Sequence, residues 1–114
     1  MKSMKLVNLT PHAISLANEA GEIVTTIPPS GTIARVATVS AKLDEIDGVP
    51  VNLQSFGEVS GIPEPEEGVR YITSTLVAQA ARRPDVLAPD TGPTAVRKDG
   101  QVVAVRAFVA FVKA

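Results

Sequence analysis

The first forty residues alternate between apolar and polar side chains with a period of two, which is typical of half-buried strands. Strands are predicted over residues 5–9, 13–16, 22–27 and 32–39. Turn-forming residues separate them, at Thr10-Pro11, Asn18–Gly21 and Pro28–Gly31. The pattern therefore predicts three or four antiparallel strands in this part of the chain.

The middle of the chain carries a strong hairpin signal. Asp47-Gly48 lies between Ile46 and Val49, the dipeptide that type I′ turns favour. Pro50 lacks a backbone N–H, so 49–53 is predicted as an edge strand. Residues 57–68 hold three Gly and two Pro and are predicted to form an exposed loop.

A strand followed by a short helix is predicted next. Residues 69–73 are strand-like, and apolar residues then recur at helical spacing. Ser74 or Thr73 can cap the helix N-terminus, and Pro84 forces the preceding residue out of helical geometry. The helix is therefore expected over about residues 75–83, held by packing on a sheet.

Asp99-Gly100 predicts a second type I′ hairpin, and the strand after it is apolar on both faces over residues 101–112. Only a central or doubly covered strand has this pattern, so it is expected in the middle of a sheet or at a subunit interface. Arg106, within this strand, needs a partner if it is buried.

The length of 114 residues predicts a single globular domain, residues 1–114. The fold class is predicted as α+β. A mostly antiparallel sheet of about six strands would be strongly curved or partly closed into a barrel, with one short helix packed on it. Closure would remove the edges that so many hairpins create.

Composition excludes several classes of function. A net charge of −1 and four dispersed aromatic residues argue against a nucleic-acid binder. The absence of cysteine excludes disulfides, thiolate metal sites and a Cys nucleophile. No apolar run has the length of a signal peptide, and none is long enough to span a membrane.

His12, the only histidine, follows Asn8 and Thr10 in the segment NLTPH. One hypothesis is a structural turn whose side chains bond the local backbone. The alternatives are a ligand contact, or a general base acting with Asp85 or Asp90. No metal-binding spacing surrounds the histidine, and no metal or cofactor is predicted.

The helix and its flanks hold the other candidate ligand or partner contacts. Ser74 and Thr75 at its start could meet an anion, although capping alone explains Ser74. Arg82 and Arg83 could clamp a phosphate or an acidic partner; otherwise they suit the helix C-terminus, with Asp85 as a local ion-pair partner. Asp90-Thr91-Gly92 favours an Asx turn over a catalytic aspartate. No residue is assigned as catalytic.

The segments NLTPHAI, TIPPSGTIARV, YITSTLVAQA and RPDVLAPDTGPTAVRKDG, with NLTPH and RPD-L-P most specific, resemble a group of small bacteriophage- and prophage-type proteins. The resemblance spans nearly the whole chain and implies an accessory role in a bacterial host cytoplasm, without an activity. The leading hypothesis is a non-enzymatic protein that binds a protein partner or small ligand. The alternatives are a small nucleotide or small-molecule enzyme using His12, and a virion or assembly component that oligomerises through the C-terminal strand.

Overall fold

The computed structural model describes residues 5–113, which form ten strands and one helix. Pairing of these strands produces one four-stranded sheet and three two-stranded sheets. In chain order the elements are β1 (Lys5–Asn8), β2 (Ile14–Ala17), β3 (Ile23–Ile27), β4 (Arg35–Ile46), β5 (Val49–Ser60), β6 (Val69–Ile72), α1 (Thr75–Ala81), β7 (Val86–Pro89), β8 (Val96–Lys98), β9 (Gln101–Ala104) and β10 (Phe108–Ala110).

The four-stranded sheet forms the centre of the molecule, in the order β1-β6-β7-β10. β1, β6 and β7 run parallel, and β10 pairs antiparallel with β7. β6 and β7 can be parallel because α1 carries the chain between them. Both strands are largely buried, as expected for parallel strands covered by other elements.

Helix α1 begins as the sequence predicts. The Ser74 side chain accepts a hydrogen bond from the Val77 N–H, at 3.3 Å, and so satisfies a donor that the first turn leaves free. The helix ends at Ala81, two residues before the predicted boundary, because Arg82 adopts the left-handed conformation at φ 52°. Val77 and Ala78 are its buried residues.

The prediction of one curved or partly closed sheet of six strands is wrong. The chain forms several small sheets, and none of them closes within the described residues. β2 pairs with β3, β4 with β5, and β8 with β9, so each of these hairpins forms a separate two-stranded sheet. A single bridge, between Leu16 and Val105, links the first hairpin to the last.

The predicted continuous strand over 101–112 is also divided. Residues 101–104 form β9, and 108–110 form β10 at the edge of the central sheet, not in its middle. Arg106 lies between them, exposed, and donates hydrogen bonds to the carbonyls of Asn18 and Thr94. The strand therefore breaks where its side chain ties two loops together.

The largest departure from the sequence prediction is a long hairpin, which we name the arm, made of β4, the Asp47-Gly48 turn and β5. Its strands have 12 residues each, so β5 includes the predicted edge strand and the first part of the predicted 57–68 loop. The predicted turn is confirmed, because Asp47 and Gly48 both have positive φ, of 51° and 78°. The radius of gyration is 16.6 Å, whereas a compact chain of this length has about 13 Å. The molecule is accordingly elongated.

The core lies between the central sheet, α1 and the base of the arm. Val36 and Val59, a cross-strand pair at that base, pack against it. No helix in residues 5–113 has the length and apolar character to cross a bilayer. The buried members of the core cluster are Leu9, Ala34, Val69, Tyr71, Val77, Ala78, Val86 and Ala88.

Candidate functional site

The NLTPH segment is a turn organised by the side chain of Asn8, which is 1% exposed. Asn8 Nδ2 donates to the carbonyls of His12, at 2.8 Å, and Ile27, at 3.1 Å. Asn8 Oδ1 accepts from the Thr10 N–H at 2.9 Å and lies 2.7 Å from Thr10 Oγ1. Every polar atom of the Asn8 side chain therefore bonds to the protein, which supports a structural turn.

His12 contributes its backbone carbonyl to this turn, and the residue as a whole is exposed to solvent. Its imidazole makes no hydrogen bond or ion pair with residues 5–113. The carboxylates of Asp85 and Asp90, its suggested partners, are each bonded elsewhere. Hydrogen bonds therefore link His12 to neither aspartate.

The hydroxyls at the start of α1 serve the helix and the sheet. Ser74 is the N-cap, and Thr73 is fully buried with its Oγ1 3.0 Å from the Ser74 carbonyl. Thr75 is exposed in the first turn. Capping therefore explains the Ser74 hydroxyl, and hydrogen bonds to the carbonyls of Ser74 and Leu87 explain that of Thr73.

Arg83 and Asp85 form a bidentate pair at the C-terminal side of α1. Arg83 Nη2 lies 2.6 Å from Asp85 Oδ2, and Arg83 Nε donates to Asp85 Oδ1 at 3.0 Å. Arg83 also donates to the Pro63 carbonyl, at 3.0 Å, and its guanidinium lies 6.0 Å from the centre of the Tyr71 ring. The pair fastens the 63–67 segment to the sheet, whereas Arg82 is exposed and caps the helix with its backbone N–H.

The hydrogen bonds from Arg83 lower the pKa of Asp85 below its ordinary value of 3.8, against the opposing effect of burial. The same bonds raise the pKa of Arg83. Since the folded state favours the charged carboxylate, this stabilisation is present above pH 3.8 and is lost as the pH falls through the lower folded value.

Asp85→Asn is expected to lower the free energy of unfolding at neutral pH, with the difference from the parent protein shrinking as the pH falls below about 4. Urea unfolding of both proteins at a series of pH values measures this difference in free energy. Asp99→Asn is the control, because it removes an exposed carboxylate from a turn position that asparagine also fits. A difference for Asp85→Asn that does not change with pH would contradict the role of the pair.

Beside this pair lies an open cleft of about 580 Å³, lined mainly by charged residues. Small-molecule sites are usually apolar with a few polar groups, so this lining offers little support for a small ligand. Arg83 and Asp85, two of its charged groups, already neutralise each other. No group of three or more His, Cys, Asp or Glu within the described part of the chain is arranged to hold a metal ion.

Asp90 forms the predicted Asx turn, since its Oδ1 accepts the Gly92 N–H at 2.9 Å. Arg97 braces the same loop by donating to the carbonyls of Thr91 and Gly92, at 2.6 and 3.0 Å. The nine candidate residues therefore fall into separate local clusters. The parallel register nevertheless brings some of them to one edge of the central sheet, because the segments that follow β1, β6 and β7 all leave the sheet there. These segments carry Thr10 and His12, Ser74 and Thr75, and Asp90, whereas Arg82, Arg83 and Asp85 precede β7.

The surface that the fold leaves uncovered is one face of the arm. The register pairs Val39 with Ser55, Ala41 with Leu53, Asp44 with Val51 and Ile46 with Val49, and alternation places these pairs on one face. We name as the apolar face its six apolar members, which are Val39, Ala41, Ile46, Val49, Val51 and Leu53.

The opposite face of the arm is mostly polar. It carries the cross-strand pairs Thr38–Phe56, Ser40–Gln54, Lys42–Asn52 and Glu45–Pro50. Lys42 and Glu45 form a 3.5 Å ion pair there, exposed to solvent. The arm is therefore an amphipathic ribbon.

The apolar face of the arm is exposed to solvent and does not pack on the core. Ile46 is 57% exposed, Val49 61% and Leu53 54%, and only Val51 of the six is partly buried. Leu43, at the bulge between the Lys42 and Asp44 pairs, is 62% exposed. Single exposed apolar residues are normal, but a contiguous row of them marks an interaction surface.

The sequence analysis found the turn of the arm and missed its length and its apolar face. The available signal was the alternation on both sides of Asp47-Gly48, in SAKLDEI and VPVNLQSF. Gly57 and the Pro-rich segment after Ser60 led to a predicted loop where β5 continues.

Comparisons of the chain with protein-family models, with curated proteins and with solved structures found no match. The resemblance to phage-type proteins therefore stays a prediction. The function is inferred from the chemistry of the surfaces described above.

Proposed function

We propose that the chain is a non-enzymatic assembly protein whose arm binds a second copy of the same chain. The apolar face of the arm is the observation that carries the proposal. A two-stranded hairpin alone in water is marginally stable, and burial of one face against a partner supplies what it lacks. The proposal combines the protein-binding and assembly hypotheses, and it adds the arm to the C-terminal strand that the assembly hypothesis named as the interface.

The charge distribution favours a second copy as the partner. A net charge of −1 opposes self-association very little. The apolar face matches an apolar surface of low charge, and the chain exposes such a surface on its own body, at Val102 and Val103. A phage- or prophage-type setting in a bacterial cytoplasm is compatible with this role and rests on the sequence resemblance alone.

Leu53→Asp is expected to convert an oligomer into the 11.9 kDa monomer, as measured by size-exclusion chromatography with light scattering. An unpaired carboxylate within an apolar interface loses its hydration without compensation. We expect the dissociation constant to rise at least ~100-fold, the equivalent of ~3 kcal/mol.

Gln54→Asp is the matched control, because it adds the same charge to the adjacent residue on the polar face. Both positions are exposed in the arm, so the two variants should unfold at similar urea concentrations. A parent protein that is monomeric throughout the micromolar range would sink the proposal. Equal dissociation of the two variants would also sink it.

A further inference from the structure

A charge-poor groove on the body of the molecule lies between β2 and β9, beside the end of β7. Its volume is about 150 Å³. An apolar cavity of about this size can hold a benzene molecule, so the groove has room for one aliphatic side chain. Its lining, which contains no charged residue, is Ala13, Ile14, Ser15, Pro89, Thr91, Val102, Val103, Ala104 and Val105.

Two further clefts have a different character. The larger is lined by charged residues of the 64–67 segment together with Arg70, Arg83 and Asp85. The third, at the base of the arm, includes Arg35 and Glu58. Of the three, the groove between β2 and β9 is the one that suits the apolar face of the arm.

We infer that the arm of one copy docks in this groove of a second copy, and that the two copies exchange arms reciprocally. This inference rests on the proposed self-association and specifies its acceptor surface. The apolar face of the arm, which includes Leu53, supplies aliphatic side chains of the size that the groove admits.

Charge at the rim of the groove complements the arm. The Arg97 guanidinium donates to the carbonyl of Thr91, a residue of the groove lining. The tip of the arm carries Asp44 at the bulge and Asp47 at the turn. An arm seated in the groove brings these carboxylates toward Arg97, whereas the carboxylate of Asp90, between Pro89 and Thr91 of the lining, is held by the Gly92 N–H. Such a charge contact sets orientation more than affinity.

Interface area favours reciprocal exchange over an arm-to-arm contact. The eight residues 39–46 extend ~26 Å, and two strands are ~10 Å wide, so packing one arm face on another covers only ~500 Å² in total. Stable interfaces bury about 1,200–2,000 Å². Reciprocal docking places two arm-to-body contacts in one dimer, so each contact has to supply only half of the buried area.

The test combines two variants that are each expected to be monomeric. Leu53→Asp disables the arm, and Val103→Asp, at a groove position that is 43% exposed, disables the acceptor. Fluorescently labelled Leu53→Asp protein, titrated with unlabelled Val103→Asp protein, is expected to form a mixed dimer. One intact contact remains in that dimer, so its dissociation constant should exceed that of the parent dimer by ~10-fold or more.

Two controls keep the experiment decisive. Labelled Leu53→Asp protein titrated with unlabelled Leu53→Asp protein should show no binding. Val24→Asp, on β3 outside the groove lining and 63% exposed, should dimerise like the parent chain. If Val103→Asp fails to fold, Val102→Asp replaces it, at a neighbouring groove position that is 40% exposed.

The outcomes separate this inference from the proposed function. A Val103→Asp protein that dimerises normally, or a mixture of the two monomeric variants that does not associate, overturns docking in the groove. The proposed self-association through the arm survives either result. A monomeric parent chain overturns both.

Discussion

Asn8→Ala is expected to lower the free energy of unfolding by about 2–4 kcal/mol, measured by urea denaturation. Asn8 is buried, and its side chain bonds to the backbone of His12, Ile27 and Thr10. Alanine leaves the carbonyls of His12 and Ile27 and the N–H of Thr10 without their side-chain partner. Buried groups left without a partner cost about 1–3 kcal/mol each, and water will satisfy those nearest the surface.

His12→Ala is the control for this prediction. The backbone carbonyl of His12 belongs to the turn, and its exposed side chain does not. The substitution should change the free energy of unfolding by no more than about 0.5 kcal/mol. If His12→Ala were as destabilising as Asn8→Ala, the imidazole would have a structural role that the hydrogen bonds do not account for.

Ile72→Ala should have a comparable or larger effect, about 2–5 kcal/mol. Ile72 is fully buried in β6, a central strand, where it lies between Asn8 of β1 and Leu87 of β7. Alanine removes three buried carbon atoms and leaves a cavity that paired strands on both sides prevent from collapsing. The urea midpoint should fall with little change in slope.

Ile23→Ala makes the same chemical change at a position in β3 that is 55% exposed. It removes little buried area and should cost less than about 1 kcal/mol. The gap between the two isoleucine variants measures the contribution of the central sheet. Equal losses would mean that burial of Ile72 in the central sheet contributes no more to stability than an exposed position in β3.

The elements that could be predicted from the sequence are those fixed by neighbours in the chain. Asp47-Gly48 and Asp99-Gly100 form the expected turns, because aspartate and glycine tolerate the positive φ that a type I′ turn demands. Ser74 caps α1, and Asp90 closes its Asx turn, through bonds to residues two or three positions away. Local chemistry was sufficient in each case.

Strand partners were harder to predict. The sequence order β6, α1, β7 is a strand–helix–strand pattern that favours parallel pairing, but the many hairpin signals around it suggested an antiparallel sheet. β1 joins β6 across more than sixty residues of chain, a choice that no local pattern encodes. The candidate site was harder still, because its residues were chosen for their chemistry, and which of them share an edge of the sheet depends on the strand order.

The arm separates what the sequence determines by itself from what only the tertiary structure decides. Alternation around Asp47-Gly48 requires a hairpin with one apolar face, and this follows from the pleat of a strand, whatever the rest of the chain does. Whether that face covers the core is a tertiary matter. The central sheet and α1 bury one another together with the base of the arm, so the outer part of the arm has no surface of its own chain to cover. Its exposure, and with it the proposed assembly role, was decided by long-range packing.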